Sequence, residues 1–190
     1  MVAESHGAHL SRFMRDVIAD TPGGEKVVHC LQCGSCGGSC PNGAEMDFTP
    51  RAVFAMMAAD RRNDVLEANT MWQCVSCYLC TVRCPQEIPI TEIMYSLKRM
   101  AIREGKAGKS DAPALAKTFT DFVDRYGRSF EFGIATRYLL FNKPLSMLKM
   151  GGAGMSMFAK GRLALTPTKI RQVKQLQAII DKARELSKDD

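Results

Sequence analysis

Eight cysteines fall in two runs of one spacing: Cys30, Cys33, Cys36 and Cys40 before Pro41, and Cys74, Cys77, Cys80 and Cys84 before Pro85. The pattern C-x2-C-x2-C-x3-C-P suits [4Fe–4S] cubanes, three thiolates of each run holding one cluster and the fourth holding the other. It predicts two clusters, one on Cys30, Cys33, Cys36 and Cys84 and one on Cys74, Cys77, Cys80 and Cys40. Zinc prefers two separated C-x2-C pairs in a closed tetrahedron, which leaves the third and fourth cysteines of each run unexplained. Because the crossed ligands stitch two distant segments together, cluster loss is expected to unfold the stretch between them.

A cubane with four protein ligands carries one electron at a time and has no open iron for a substrate. Nothing else in the chain builds an active site. No cysteine is spare, no Gly-x-Gly-x-x-Gly turn is present for a flavin or nicotinamide, and no histidine stands near a candidate nucleophile. The expected role is electron relay, with no catalytic residue here and the reaction carried by a partner. His29 adjoins Cys30, but eight thiolates complete two cubanes, so it is expected to pack beside the cluster without ligating it.

The elements that must position these runs read as helices. Leu10, Phe13, Met14, Val17 and Ile18 form one apolar stripe over 8–20, ended by Thr21-Pro22-Gly23-Gly24, with His6 and His9 expected to face solvent. Glycines at 34, 37, 38 and 43 let the first run wrap closely around a cluster and aim N–H groups at its sulfurs. Thr49-Pro50 is an N-cap followed by a first-turn proline, with Val53, Phe54, Met56 and Met57 facing inward. A break at 61–64 precedes a second short helix over 65–73. A helical linker argues against the small β-rich ferredoxin, in which the two runs bracket short strands. Trp72 and Tyr78 are expected to shield a cluster from water or pack beside it, and Ile93, Met94, Leu97, Met100 and Ala101 mark a helix stopping near Gly105.

Residues 105–110, Gly-Lys-Ala-Gly-Lys-Ser, look like the end of a phosphate-binding loop but have two residues between their glycines where that loop needs four, so a basic linker is expected. Beyond it come an amphipathic helix over 111–127 with Leu115, Phe119, Phe122, Val123 and Tyr126, and a helical segment over 130–141. Methionines 147, 150, 155 and 157 crowd around three glycines, where the default reading is gap-filling in a local core and the alternatives are packing on a partner or a membrane surface. A last helix is expected from Thr166-Pro167, carrying Ile170, Val173, Leu176, Ile180 and Ala183 and ending in a charged, fraying tail.

Composition bounds the rest. At 190 residues the chain allows one domain or a small domain with an extension, divided here as 1–105 and 106–190. The formal charge of +6 is uneven: residues 1–100 carry a net −2 and residues 101–190 a net +8. That basic half is expected to dock an acidic partner or to form a solvated face. Nucleic acid is not expected, since no aromatic-interleaved basic motif accompanies the charge. No export signal and no run long enough to span a membrane are evident, which points to a cytoplasmic protein and leaves peripheral membrane contact open. Thiolate-bound clusters also favour a reducing compartment.

The segment from Cys30 to Gly105 resembles the C subunit of heterodisulfide reductase. The resemblance rests on the glycine-bearing first run, Thr49-Pro50-Arg51 opening the linker helix, Trp72-Gln73-Cys74 entering the second run, and Arg83-Cys84-Pro85 before a long helix. It implies an all-α fold, the α-helical ferredoxin with two [4Fe–4S] clusters; the helical C-terminal extension that follows is expected, from its net charge of +8, to dock a partner subunit. It also implies a hetero-oligomer in which this subunit relays electrons between a flavin-containing A subunit and a catalytic B subunit with cysteine-rich CCG motifs, acting on disulfide or sulfur compounds. This chain has no adjacent cysteine pair, so it is not the B subunit. Two alternatives stand beside this reading: the iron–sulfur relay of a succinate dehydrogenase or fumarate reductase-like complex, and a redox-sensing binding module without enzymatic partners.

Overall fold

A computed structural model describes residues 10–107, 110–162, 164 and 166–186, and for 147–150 only the backbone. The described residues are helical and contain no strand. They form two compact units, residues 1–110 and 111–190. His6, His9, Gly108, Lys109 and the tail beyond Leu186 lie outside the described residues.

In the first unit, α1 (Arg12–Ala19) opens at Ser11, whose Oγ accepts from Met14 N–H and donates to the Met57 carbonyl at 2.5 Å. That bond seats α1 on α3 (Pro50–Ala58), which starts at Thr49 and Pro50 as expected, with Thr49 Oγ1 accepting from Ala52 N–H. The long helix α6 (Ile90–Arg103) ends before Gly105, and its face Ile93, Met94, Leu97, Met100 and Ala101 is buried. These three helices and α4 (Arg62–Glu67) enclose one apolar core containing Phe13, Val17, Met57, Leu66 and Leu97.

The second linker helix differs from the expected span. It begins at Arg62, inside the anticipated break, and ends at Glu67, while 69–73 is a turn. Charge explains the early start. Arg62 reaches Asp16 at 2.6 Å and Glu104 at 2.5 Å and stacks over Phe13, so it is tied to α1 and to the end of α6. Side-chain competition explains the early stop: Asn69 accepts from Asp47 N–H at 2.7 Å, and its own N–H donates to Asp47 Oδ2 at 2.7 Å.

Asp20 closes the first unit from the other side. Its carboxylate accepts from the buried Ser96 hydroxyl at 2.6 Å and from Arg99 and Arg103 at 2.9 and 3.1 Å. Burial opposes its ionisation, but the Ser96 hydroxyl and the two guanidiniums outweigh burial and hold its pKa below the ordinary carboxylate value. A depressed pKa gives stability that is present above the unfolded value of about 3.9 and lost as pH falls through the folded value. Asp20→Asn should therefore cost about 2 kcal/mol in urea unfolding at neutral pH. The difference from wild type should be flat between about pH 6 and pH 8; a loss that varied across that window would assign the stabilisation to another group.

The second unit contains α7 (Ala112–Tyr126), α8 (Glu131–Asn142), α9 (Pro144–Ala159) and α10 (Val173–Leu186). α7 ends at Gly127, whose φ of 75° is a left-handed conformation that suits glycine. A Cβ there would clash with the Ile170 side chain. The last helix starts at Val173, six residues later than Pro167, because Ile170 N–H is already committed to the Tyr126 carbonyl at the end of α7. The methionine-rich stretch is helical, but gap-filling fails for the two methionines whose side chains are described. Met155 is 70% exposed and Met157 46%. The core of this unit is instead the aromatic group Phe122, Tyr126, Phe130 and Phe132, with Ile134 buried nearby on α8.

Candidate metal centre

Each cysteine run folds as an open loop, one short helical turn and a second loop. The turns are α2 (Ser35–Gly38) and α5 (Leu79–Val82), and they pack against each other. Left-handed residues flank the second cysteine of both runs: Gln32 and Gly34 around Cys33, with φ of 56° and 82°, and Ser76 and Tyr78 around Cys77, with φ of 56° and 60°. Alternating handedness turns successive N–H groups toward one side and makes a concavity suited to an anion. Glycine fills this role at 34, whereas Tyr78 holds the same conformation at a cost of about 1 kcal/mol.

Packing α2 on α5 carries the last cysteine of each run to the other run's loop. One hollow is lined by Cys30, Cys33, Cys36 and Cys84, with Arg51 and Ile88 in its wall. A second is lined by Cys40, Cys74, Cys77 and Cys80, with Tyr78, Thr91 and Met94. Cys36 and Ile90 line both hollows and form their common wall. Cys33 and Cys77 are exposed at the outer lip of each, whereas Cys36 is buried.

A polar clamp fixes the approach of the two runs. Asn42 donates to the Gln73 carbonyl at 3.0 Å, Thr70 Oγ1 accepts from Phe48 N–H and donates to Phe48 O, and Asn69 Nδ2 donates to Glu45 O. These residues gave no signal as single positions. They pair only when the stretch after the first run is matched against the stretch before the second.

The thiols sit where negative charge accumulates. Burial pushes Cys36 above the usual thiol value, against N–H donors from Gly37 and Arg51 and with the neighbouring Cys30 adding to the rise. Burial also raises Cys40, helped by repulsion from Cys77, Cys80 and Cys74. Cys33 moves the other way, lowered by the Ser35 hydroxyl and N–H. Four converging thiolates need a cationic or iron-bearing group to hold them together. Among the described residues no three His, Cys, Asp or Glu side chains converge tightly enough for a single metal ion. The donor set fits a multi-iron cluster better than zinc: all sulfur, four to a hollow, and set too far apart to close on one ion.

The neighbouring residues are placed differently from one another. Tyr78 does line the second hollow, and its hydroxyl donates to Glu92 at 3.0 Å. Trp72 packs against the core and lines a separate open groove with Asp47 and Glu67. His29 is exposed and not packed beside a cluster, because the 3-10 turn Gly24–His29 directs it to solvent.

The sequence matches the 4Fe-4S dicluster domain family over residues 6–89. It is 40% identical over 82 residues to the C subunit of the ferredoxin:CoB-CoM heterodisulfide reductase of Methanosarcina mazei, covering 43% of this chain and 50% of that one. It is 37% identical over 105 residues to the C2 subunit of the H(2)/formate:CoB-CoM heterodisulfide,ferredoxin reductase of Methanococcus maripaludis, covering 51% and 55%. To the C subunit of the H(2):CoB-CoM heterodisulfide,ferredoxin reductase of Methanothermobacter marburgensis it is 30% identical over 117 residues, covering 62% and 60%. The chain thus spans about half the length of the curated relatives it matches. Four-cysteine hollows on a helical frame and these matches agree: residues 6–89, which hold all eight cysteines, match a 4Fe-4S dicluster domain, and the chain is similar over part of its length to heterodisulfide reductase C subunits.

Proposed function

We propose that this protein is the electron-transfer subunit of a heterodisulfide reductase-like complex, relaying single electrons between a flavin-containing subunit and a CCG-type catalytic subunit that acts on disulfide or sulfur compounds. One observation carries the reading. The two four-cysteine hollows share a wall made of Cys36 and Ile90, so groups held in them sit side by side within one core. Cys30, Cys33, Cys36 and Cys84 would hold one [4Fe–4S] cluster, and Cys74, Cys77, Cys80 and Cys40 the other. When bound, each cluster supplies a one-electron carrier. The chain's own residues do the rest: the left-handed loops aim N–H groups at sulfur, Ile90 keeps water from the shared wall and Met94 from the second hollow, and the exposed edges at Cys33 and Cys77 give each hollow a route outward. Leu31 and Val75, which follow the first cysteine of each run, are both exposed apolar residues beside those edges and suit contact with partner proteins.

Anaerobically reconstituted protein should contain about eight irons per chain and, after reduction, show an EPR signal broadened by coupling between neighbouring clusters. Four irons, two uncoupled signals or stoichiometric zinc would reject the relay. Residues 106–190 we assign to subunit docking, the cluster unit being residues 1–105. The reaction itself we assign to the partner.

A further inference from the structure

We propose that α9 and the basic residues flanking it bind the surface of an anionic membrane. Over residues 132–180 the chain has eight lysines and arginines and no aspartate or glutamate. Arg137 and Lys143 are paired with Asp121 and Asp111. Lys160, Arg162, Arg171 and Lys174 are exposed, and no carboxylate among the described residues pairs with them. Between these charges lies an apolar helix with little of its own unit to bury it. Leu145 at the start of α9 is 78% exposed, Phe141 just before it 76%, and Phe158 near its end 51%.

The arrangement of those side chains selects the occupant. A protein groove takes one stripe of a helix, with anchors three and four residues apart. At 100° per residue, Leu145, Met155, Met157 and Phe158 point in four different directions around α9, and a Cβ on Gly151, Gly152 or Gly154 would meet nothing within 4 Å. What suits a membrane surface is the neighbouring charge: the exposed cations beyond the end of α9 meet anionic headgroups, and the exposed Leu145 and Phe158 meet the acyl boundary beneath them. Sixteen residues span about 24 Å, short of the roughly 30 Å hydrocarbon thickness, so the helix lies in the interface and does not cross it. No helix among the described residues is long and apolar enough to span a membrane. Unpaired cations at the C-terminal end of α9 and beyond supply attraction to acidic headgroups.

The test is flotation of the full-length, cluster-loaded protein with phosphatidylglycerol–phosphatidylcholine vesicles and with phosphatidylcholine vesicles alone. Wild type should float with the first and not the second. Lys160→Glu with Arg162→Glu should weaken binding at least about tenfold, and so should Leu145→Gln with Phe158→Ser, while iron content and helicity stay unchanged. Phe141→Ser, outside α9, provides a second apolar variant. Three outcomes overturn the proposal: no flotation with anionic vesicles, flotation indifferent to both apolar variants, or variants that abolish co-purification of a protein while wild type binds no vesicle. Iron content is measured separately, so a negative result leaves the relay reading standing.

Discussion

Replacing Cys84 with serine is expected to empty the hollow formed mainly by the other run. Cys84 follows Cys80 by four residues, yet it lines the cavity of Cys30, Cys33 and Cys36, because α5 packs on α2 and delivers the end of the second run across the interface. A serine hydroxyl is a harder and far less acidic ligand than a thiol, so one corner of the cubane would be left unheld. Iron should fall from about eight to about four per chain. The remaining signal should match that of Cys33→Ser and differ from that of Cys77→Ser. Cys40→Ser should give the reciprocal result and match Cys77→Ser. Uncrossed ligation predicts the opposite pairing of spectra, so four single variants decide the matter. Cys84→Ser should also lower the unfolding midpoint, since ligand binding that requires the folded state contributes directly to its stability.

Ending the chain after Ser110 should leave the iron content and visible spectrum unchanged and remove co-purification of partner subunits. The connected apolar core, from Phe13 to Ala101, lies within the first unit, as do all eight cysteines. That unit therefore keeps what it needs to fold. The second unit buries little beyond an aromatic group and exposes Leu115, Phe119 and Ile179 on α7 and α10, apolar surface that a partner would cover. Leu115, Phe119 and Ile179 lie outside α9 and are not among its flanking basic residues, so loss of a protein partner and loss of vesicle binding can be separated by variants at each set. A truncated chain that still co-purified would place docking on the cluster unit, at the exposed Leu31, Val75 and Val82.

The helical frame was legible because its signals are local. Thr49-Pro50 announces the start of α3 by satisfying orphan N–H groups and presetting φ, and the 3–4 spacing from Ile93 to Ala101 marks the buried face of α6. Signals failed where the deciding contact was remote. Thr166-Pro167 carries the same start signal as Thr49-Pro50, yet no helix forms until Val173 because Ile170 is held at the end of α7. Arg62 looked like a break and became the first residue of α4, since Asp16 and Glu104 converge on it from distant parts of the chain. Met155 and Met157 read as core by composition, but whether a neighbour covers them is settled only by packing.

The cysteine runs divide in the same way. Residue type and spacing determined the chemistry on offer, because a thiolate every three residues and a fourth after four more can be supplied by a short loop and turn alone. The grouping of thiols into hollows, the shared wall at Cys36 and Ile90, and the left-handed backbone at Ser76 and Tyr78 were decided by tertiary structure. The physical reason is distance along the chain: Cys36 and Cys84 meet only after α1, α3, α4 and α6 have buried a common core and the clamp from Asn42 to Gln73 has brought the two runs together.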